Sequence, residues 1–443
     1  MKIKVRPLLL ALGLSAGTAQ SADLLAVYRD AAAYDAQFAA ARAGVEAGRE
    51  ALPQGRAGLL PTIAASASNG RTELDYHRHS PAQDAGTSYH TSGWNVSLSQ
   101  PLFRWERWAG YNQAQYRVAQ AEAQFDLARQ DLILRAAQAY FDVLQAGEAL
   151  EAAEAGRKAI TEQLEEAKRA FEVGTKTVVE VHDAQARFDL ATAQEIVARN
   201  DLLVKHQQLR LLAGKEYDAL KPLRKGAAIP APQPDNMEQW STSAEQAYAG
   251  VRAALAQLGV SEQEISKQRA GHLPALDLIA NRGRSSQTGA FLAGASGPGY
   301  DLTSTTVGVQ LSLPIFAGGA VSSAVDQSVA LKNKAQADLD NARHSAALQA
   351  RQAYLGVSAG LSQVKALEAA LISSQSALDS NKLGFEVGVR TNIEVLNAQS
   401  QYFDTRQRLS RARLDTLLAL LRLKAAAGSL AEDDLTAING LFD

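Results

Sequence analysis

A stretch of this chain is written twice. GLLPTIAASASNGR, Gly58 to Arg71, returns as GHLPALDLIANRGR, Gly271 to Arg284, at an offset of 213. QPLF at Gln100–Phe103 answers LPIF at Leu313–Phe316, and QAYFDV at Gln138–Val143 answers QAYLGV at Gln352–Val357. FEVGTKTVVEVHDAQARF then answers FEVGVRTNIEVLNAQSQY. Four matches in one order at a nearly constant offset mark a tandem duplication, and its unit is too long for a short-repeat solenoid. Whatever fold one unit adopts, the chain adopts twice. The expected units are residues 23–213 and 237–427, joined by the Pro-, Gly- and Lys-rich linker 214–236 and followed by a C-terminal segment, 428–443.

Proline placement divides each unit. None lies between Pro101 and Pro222, or after Pro314, and both segments are rich in Ala, Gln, Leu, Arg and Glu, which favour helix. Each is interrupted once, at FEVGTKT and FEVGVRT, where Gly174 and Gly388 suit a left-handed cap and chain reversal. The expectation is one long helical hairpin per unit, with a first arm on the order of 100 Å.

Ahead of each hairpin stands a pair of strand-like segments. In WNVSLSQPL and TVGVQLSLPIF, apolar residues alternate with polar ones, the period of a strand with one apolar face. LPTIAASASNGR and LPALDLIAN are their expected partners, and Thr72–Gly93 and Ser285–Thr303 read as polar surface loops. Alternating strands of about ten residues fit a lipid-spanning barrel. Four strands alone would leave unsatisfied edges in lipid. The fold class expected is therefore mixed and mainly α: copies of the chain must combine, and a cyclic trimer would give a 12-stranded transmembrane β-barrel, four strands per chain, continued by a long α-helical barrel. The competing reading is a soluble periplasmic coiled-coil adaptor or structural rod capped by a small sheet.

The remaining composition excludes more than it identifies. Lys2, Lys4 and Arg6, the apolar run Leu8–Leu14 and the small residues of GTAQSAD have the form of a secretory signal peptide over residues 1–22, cut after Ser21 or Ala22. No later stretch reads as a transmembrane helix. The absence of cysteine removes disulfides, thiolate metal sites and a lipidated N-terminal cysteine. A formal charge of −2 gives no support to a nucleic-acid partner. No phosphate loop, nucleophile elbow or zinc motif stands in a convincing context, so no enzyme activity, cofactor or metal is expected. His77 and His79, near His90, form a weak HxH pair that reads as an ordinary polar loop. Trp94, Phe103, Trp105, Trp108 and Phe316 cluster where strands meet helices, either as an aromatic girdle or as core packing.

Together these residues resemble the TolC-type outer-membrane channels of efflux pumps and type I secretion systems. The resemblance covers essentially the whole mature chain and rests on ADLLAVYRDA, GLLP and GHLPALDL, SLPIFAGG and FEVGVRTNIEVLNA. It implies a homotrimer in the bacterial outer membrane with its helical part in the periplasm, partnered by a periplasmic adaptor and an inner-membrane transporter. It also implies a mixed region built from the linker and the C-terminus.

A channel performs no covalent chemistry, so its functional residues should line a constriction. The turns at Phe171–Gly174 and Phe385–Gly388 are the free ends of the arms. Beyond them stand Lys176, Glu180 and Asp183, and Arg390, Glu394 and Asn397, with each three-apart pair on one helix face. Threefold symmetry turns a carboxylate into a ring, and acidic rings select cations. Carried over by position, the resemblance gives Glu394 and Asn397 the two ring sites, Arg390 a link holding the tip shut, with Lys176 its counterpart, and Glu180 the acidic partner. Asn397 is neutral where the family has an acid, Phe385 stands for a tyrosine, and Val179 for a hydroxyl residue. A weaker cation block and fewer closing links follow.

Overall fold

The computed structural model describes residues 21–76, 85–175, 177–224, 226–289 and 298–443. Lys176, His77, His79 and nearly all of the expected signal peptide lie outside them. The elements run α1 (Leu24–Tyr34), α2 (Ala36–Arg49), α3 (Ala51–Ala57), β1 (Thr62–Tyr76), β2 (Ala85–Phe103), α4 (Trp105–Glu172) and α5 (Val178–Ala213). The second half repeats the plan with α6 (Met237–Ala247), α7 (Ala249–Arg269), β3 (Ala275–Thr288), β4 (Tyr300–Ser312), α8 (Ala320–Glu386) and α9 (Asn392–Ala426), then adds α10 (Glu432–Asn439). α4 is 68 residues long and α8 is 67, about 100 Å each at the standard rise. Side chains four apart reinforce the long helices, as in Arg135–Asp131, Arg187–Asp183 and Arg199–Glu195.

Two compact units divide the chain, one holding residues 42–125 and 249–344, the other residues up to 41, 126–248 and 345–443. The first contains a four-stranded antiparallel sheet in the order β1-β2-β3-β4. The middle pairing, β2 with β3, joins the two halves of the duplication. Cross-strand register sorts the side chains onto two faces. One carries Ile63, Ala65 and Ala67, Trp94, Val96 and Leu98, Leu276, Leu278 and Ala280, and Val307, Val309 and Leu311. The other carries Ser66 and Ser68, Asn95 and Ser97, Asn281 and Gly283, and Thr306 and Gln310. Ile63 and Val307 are each 70% exposed, so the apolar face is uncovered. β1 and β4 each lack a second neighbour among the described residues.

The strands run 15, 19, 14 and 13 residues, longer than the ten or so expected. Thr72–Tyr76, Ala85–Gly93, Ser285–Thr288 and Tyr300–Thr303 extend the ladders where the sequence reads as loops. Their Thr, Ser and Gly residues are polar on both faces. They leave no alternation to detect, although the backbone pairing continues. At the base of the sheet Asp277 is 6% exposed and accepts a bidentate bond from Arg104, at 2.7 and 2.6 Å. This fixes the corner where β2 passes into α4.

The second unit holds the hairpins from residues 126 and 345 onward, and a packed base. Asp23 caps α1 by accepting from the Ala26 N–H at 2.8 Å. α1 buries Leu24, Val27 and Ala31 completely. Tyr140, Phe141 and Phe442 form an aromatic group in which the Tyr140 hydroxyl donates to the Lys221 carbonyl at 2.8 Å. The linker meets Ala22 and the C-terminal segment here, through a parallel bridge from Ala22 to Leu220 and an antiparallel bridge from Leu223 to Phe442. Each hairpin has its own apolar interior, Leu164, Ala167 and Ala184 in one and Val364, Leu409 and Ala412 in the other.

α8 carries one moderately apolar stretch. It contains an 18-residue window of mean hydropathy 1.2, enough by length and composition to cross a membrane. Only 11% of that window is buried.

Candidate functional site: the hairpin turns

The two turns are built alike. In the first, Thr175 N–H donates to the Ala170 carbonyl and Gly174 N–H to that of Phe171, both at 2.9 Å. In the second, Val389 N–H donates to Gly384 and Gly388 N–H to Phe385, at 2.9 and 3.0 Å. This pair of bonds defines a Schellman cap, which requires a left-handed residue. Gly174 and Gly388 supply it with φ of 75° and 78°. Three residues later Thr177 and Thr391 stand at the N-caps of α5 and α9. The motif FEVGxxT is thus a stop, a reversal and a start in seven residues.

The following acids behave differently in the two turns. The Glu394 carboxylate accepts from the Thr391 N–H at 2.8 Å and from Arg390 at 2.6 Å, and the Thr391 hydroxyl lies 3.1 Å away. Thr391 in turn caps the Glu394 N–H, completing a capping box. The Thr391 N–H, then Arg390, hold the Glu394 carboxyl below its ordinary range. Arg390 is therefore engaged on its own hairpin, four residues before its partner. Gly384 makes room for it, since a Cβ there would come within 2.5 Å of the Arg390 Cγ. At the first turn Thr177 makes no side-chain cap, Glu180 is exposed, and Asp183 pairs with Arg187 at 3.1 Å. Asn397 lines a groove of about 420 Å³ bordered by α4, α5 and α9. Phe171, Val173 and Val179, with Phe385, Val387 and Val389, leave the turns largely apolar at the surface.

Sequence reasoning missed the seam between the hairpins. Along α4 and α9, Gln138 meets Arg422, Gln145 meets Asp415 and Glu151 meets Arg406, at 3.1, 3.3 and 3.0 Å. Glu148 sits among them, hydrogen bonded to Ser410, and burial raises its pKa. The first two rungs are seven residues apart on both helices, so the seam is an antiparallel polar ladder. The spacing was readable, but nothing in the sequence said which helix faced which. The duplication itself exposes a second feature. Glu154–Arg199 crosses the first hairpin at 3.1 Å and Glu368–Arg413 crosses the second at 2.6 Å, and these positions correspond at an offset of 214. Beside the first pair, buried Glu195 also meets Arg157. The corresponding positions in the second hairpin are Leu371 and Leu409.

The aromatic cluster at the strand–helix junction is exposed. Trp94, Phe103, Trp105 and Trp108 are 42–50% exposed and Phe316 is 88% exposed. Core packing within one chain is thereby excluded for them. Among the described residues no group of three or more His, Asp or Glu is placed to hold a metal.

Comparison with known proteins agrees with this geometry. The family model described as "Outer membrane efflux protein" matches residues 27–215 and again 240–429. Outer membrane protein TolC of Vibrio cholerae is 33% identical over 430 residues, covering 97% of this chain and 96% of the relative. Proteases secretion protein PrtF of Dickeya chrysanthemi is 30% identical over 455 residues, covering 100% of this chain and 96% of the relative. The crystal structure of the Campylobacter jejuni CmeC outer membrane channel superposes with a TM-score of 0.77 at 17% identity, covering 95% and 90% of the two chains.

Proposed function

The chain belongs to the outer membrane efflux protein family, and from that premise we propose a conduit gated at the turns after α4 and α8. It is an outer-membrane channel for efflux and type I secretion, not an enzyme, and it resides in the bacterial outer membrane. The soluble-adaptor reading falls with that membership. TolC-type channels are trimeric and work with efflux or secretion systems.

The observation that carries the finer reading is the two-faced sheet with two open edges. In lipid every backbone group needs a partner, so β1 and β4 call for strands from neighbouring copies, and three copies supply twelve. The helices support the same closure. α5 exposes Leu190, Val197, Val204 and Leu211 at seven-residue spacing, an apolar seam for another helix. The polar sheet face then lines the bore. The apolar turns suit docking by a periplasmic adaptor protein, itself coupled to an inner-membrane transporter. Small molecules or secreted polypeptide are the cargo, and energy comes from the transporter.

In this reading Glu394 and Glu180 form acidic rings at the constriction, with Asn397 and Asp183 beside them, and Arg390 restrains the closed turn. Because Glu394 also caps α9, two substitutions separate its roles. Glutamine keeps an acceptor suited to the capping box while removing the charge, whereas alanine removes both. Single-channel recording of the trimer in a planar bilayer should show reduced cation selectivity for Glu394→Gln and Glu394→Ala alike. Selectivity lost only in the alanine variant would reduce Glu394 to a cap, and no conductance in the wild type would sink the conduit.

A further inference from the structure

The apolar band on the sheet does not fill its face. Beyond it, away from the strand–helix junction, the same face continues with Asn69 and Arg71 on β1, and Ser92 and His90 on β2. On β3 and β4 it continues with Arg282, Arg284, Thr305 and Thr303. Register sorts these into two groups, because His90 pairs with Thr288, four residues beyond Arg284. Arg71 lies opposite His90, Arg282 lies between Val96 and Thr305, and Arg284 lies between Trp94 and Thr303. Acids share the face: Glu73 and Asp301 are engaged by Arg71 and Arg284, both at 2.9 Å, and Asp75 stands two residues beyond Glu73. Arg282 is exposed and has no ion-pair partner among the described residues.

A guanidinium on the lipid side of a barrel is costly at the midplane and nearly free at the interface. Its position at the border of the apolar band therefore marks a headgroup level. The opposite border carries the exposed aromatics Phe103 and Trp105, next to the helices, so the arginines belong to the outer leaflet. Guanidinium groups bind phosphate through paired, charge-assisted hydrogen bonds. We infer that Arg282 and Arg284 form a lipid-facing site for phosphate-bearing headgroups of the outer leaflet. The inference rests on the barrel reading given above, because it needs that face to meet lipid.

The test uses native mass spectrometry of the detergent-solubilised trimer titrated with diphosphoryl lipid A, with monogalactosyl diacylglycerol as the uncharged comparison. Wild type should retain the phosphorylated lipid at concentrations where the uncharged one is lost. Arg282→Gln should weaken retention on the order of tenfold, as expected for loss of one charge-assisted contact. Arg282→Gln with Arg284→Gln should weaken it further, and Arg282→Lys, which keeps the charge without the paired donors, should restore part of it. Equal retention in wild type and the double variant would overturn the site. So would displacement of the lipid by millimolar inorganic phosphate, which would make it a general anion site. A protein that stays soluble without detergent and binds neither lipid would overturn the barrel, and this inference with it.

Discussion

The first hairpin contains a charged pair where the second has two leucines, and that difference predicts a specific ordering of stabilities. The Glu195 side chain is 8% exposed, while Arg157 and Arg199, its two partners, are 41% and 55% exposed. Removing Arg157 as Arg157→Leu leaves a buried carboxylate with Arg199 alone. The carboxylate keeps one partner and loses the other, and a hydrogen bond to a charged group contributes about 1.5–3 kcal/mol. Removing Glu195 instead leaves a guanidinium already half in water, so Glu195→Leu should cost less. The double variant rebuilds the second hairpin's solution inside the first. Burying one leucine side chain contributes roughly 1.5–3 kcal/mol, and exchanging buried ion pairs for apolar residues is often neutral or stabilising by about 1–4 kcal/mol. The expected order is Arg157→Leu least stable, then Glu195→Leu, then wild type, with the double variant equal to or above wild type. The Glu154–Arg199 pair remains in every case. The assay is loss of helical circular dichroism on heating at one fixed scan rate, where each kcal/mol moves Tm by about 2–4 °C for a unit of this size. A double variant as unstable as the two single losses added together would refute the reasoning, because the site would then require charge and not merely tolerate it.

Three further outcomes are expected. Burial raises the Glu148 pKa above its ordinary 4.5 despite Ser410, Arg406 and Arg413, with Glu151 adding to the rise. Its protonated form is therefore favoured in the fold, and that stability is lost as pH climbs from about 4.5 through the raised value. Glu148→Gln should raise Tm at pH 7.5 and leave it nearly unchanged at pH 4; equal shifts at both would contradict this. The lowered pKa of Glu394 works the other way: its contribution to the α9 cap is present above the ordinary 4.5 and fades as pH falls through the lowered value. Hydrogen exchange in the first turn of α9 should therefore quicken in strong acid, after correction for intrinsic rates, and Glu394→Ala should abolish the effect. Finally, Ala22 donates to Ala219 and accepts from Lys221, at 3.0 and 3.1 Å. A mature chain that begins at Ala22 keeps these bonds and one that begins at Asp23 loses them, so the former should melt higher; equal Tm for the two would show the bridge to be dispensable.

The sequence revealed most where local chemistry and global role coincide. The duplication, the proline-free arms and the alternation in WNVSLSQPL and TVGVQLSLPIF each follow from a few neighbouring residues. The hairpin turns were legible because a Schellman cap needs glycine and an N-cap favours threonine. The outer thirds of the strands were not, because residues such as Thr87, Ser88 and Thr91 alternate in nothing that hydropathy can register. The ladder from Gln138 to Arg422 was hidden for another reason, since its partners are 284 positions apart and only tertiary packing pairs them. Glu394 lies between these cases. Its place beside the turn was visible, but its carboxylate serves the backbone of its own helix before it serves any pore.

The register of the sheet carries one more implication. Val96 marks the centre of the apolar band on β2, yet the centre on β3 is Leu278, whose partner is Gln100. The band therefore steps by four residues between these strands, or roughly 13 Å, as it must if tilted strands are to keep one level in a membrane. In a closed barrel such steps, summed around the circumference, fix the shear, and shear with strand number fixes the diameter. To widen, the wall would have to slip its hydrogen bonds by two residues at a time, turning no side chain inward by halves. The bore is consequently a constant of the molecule, set by counting. Any adjustment to the size of what passes must be made outside the sheet.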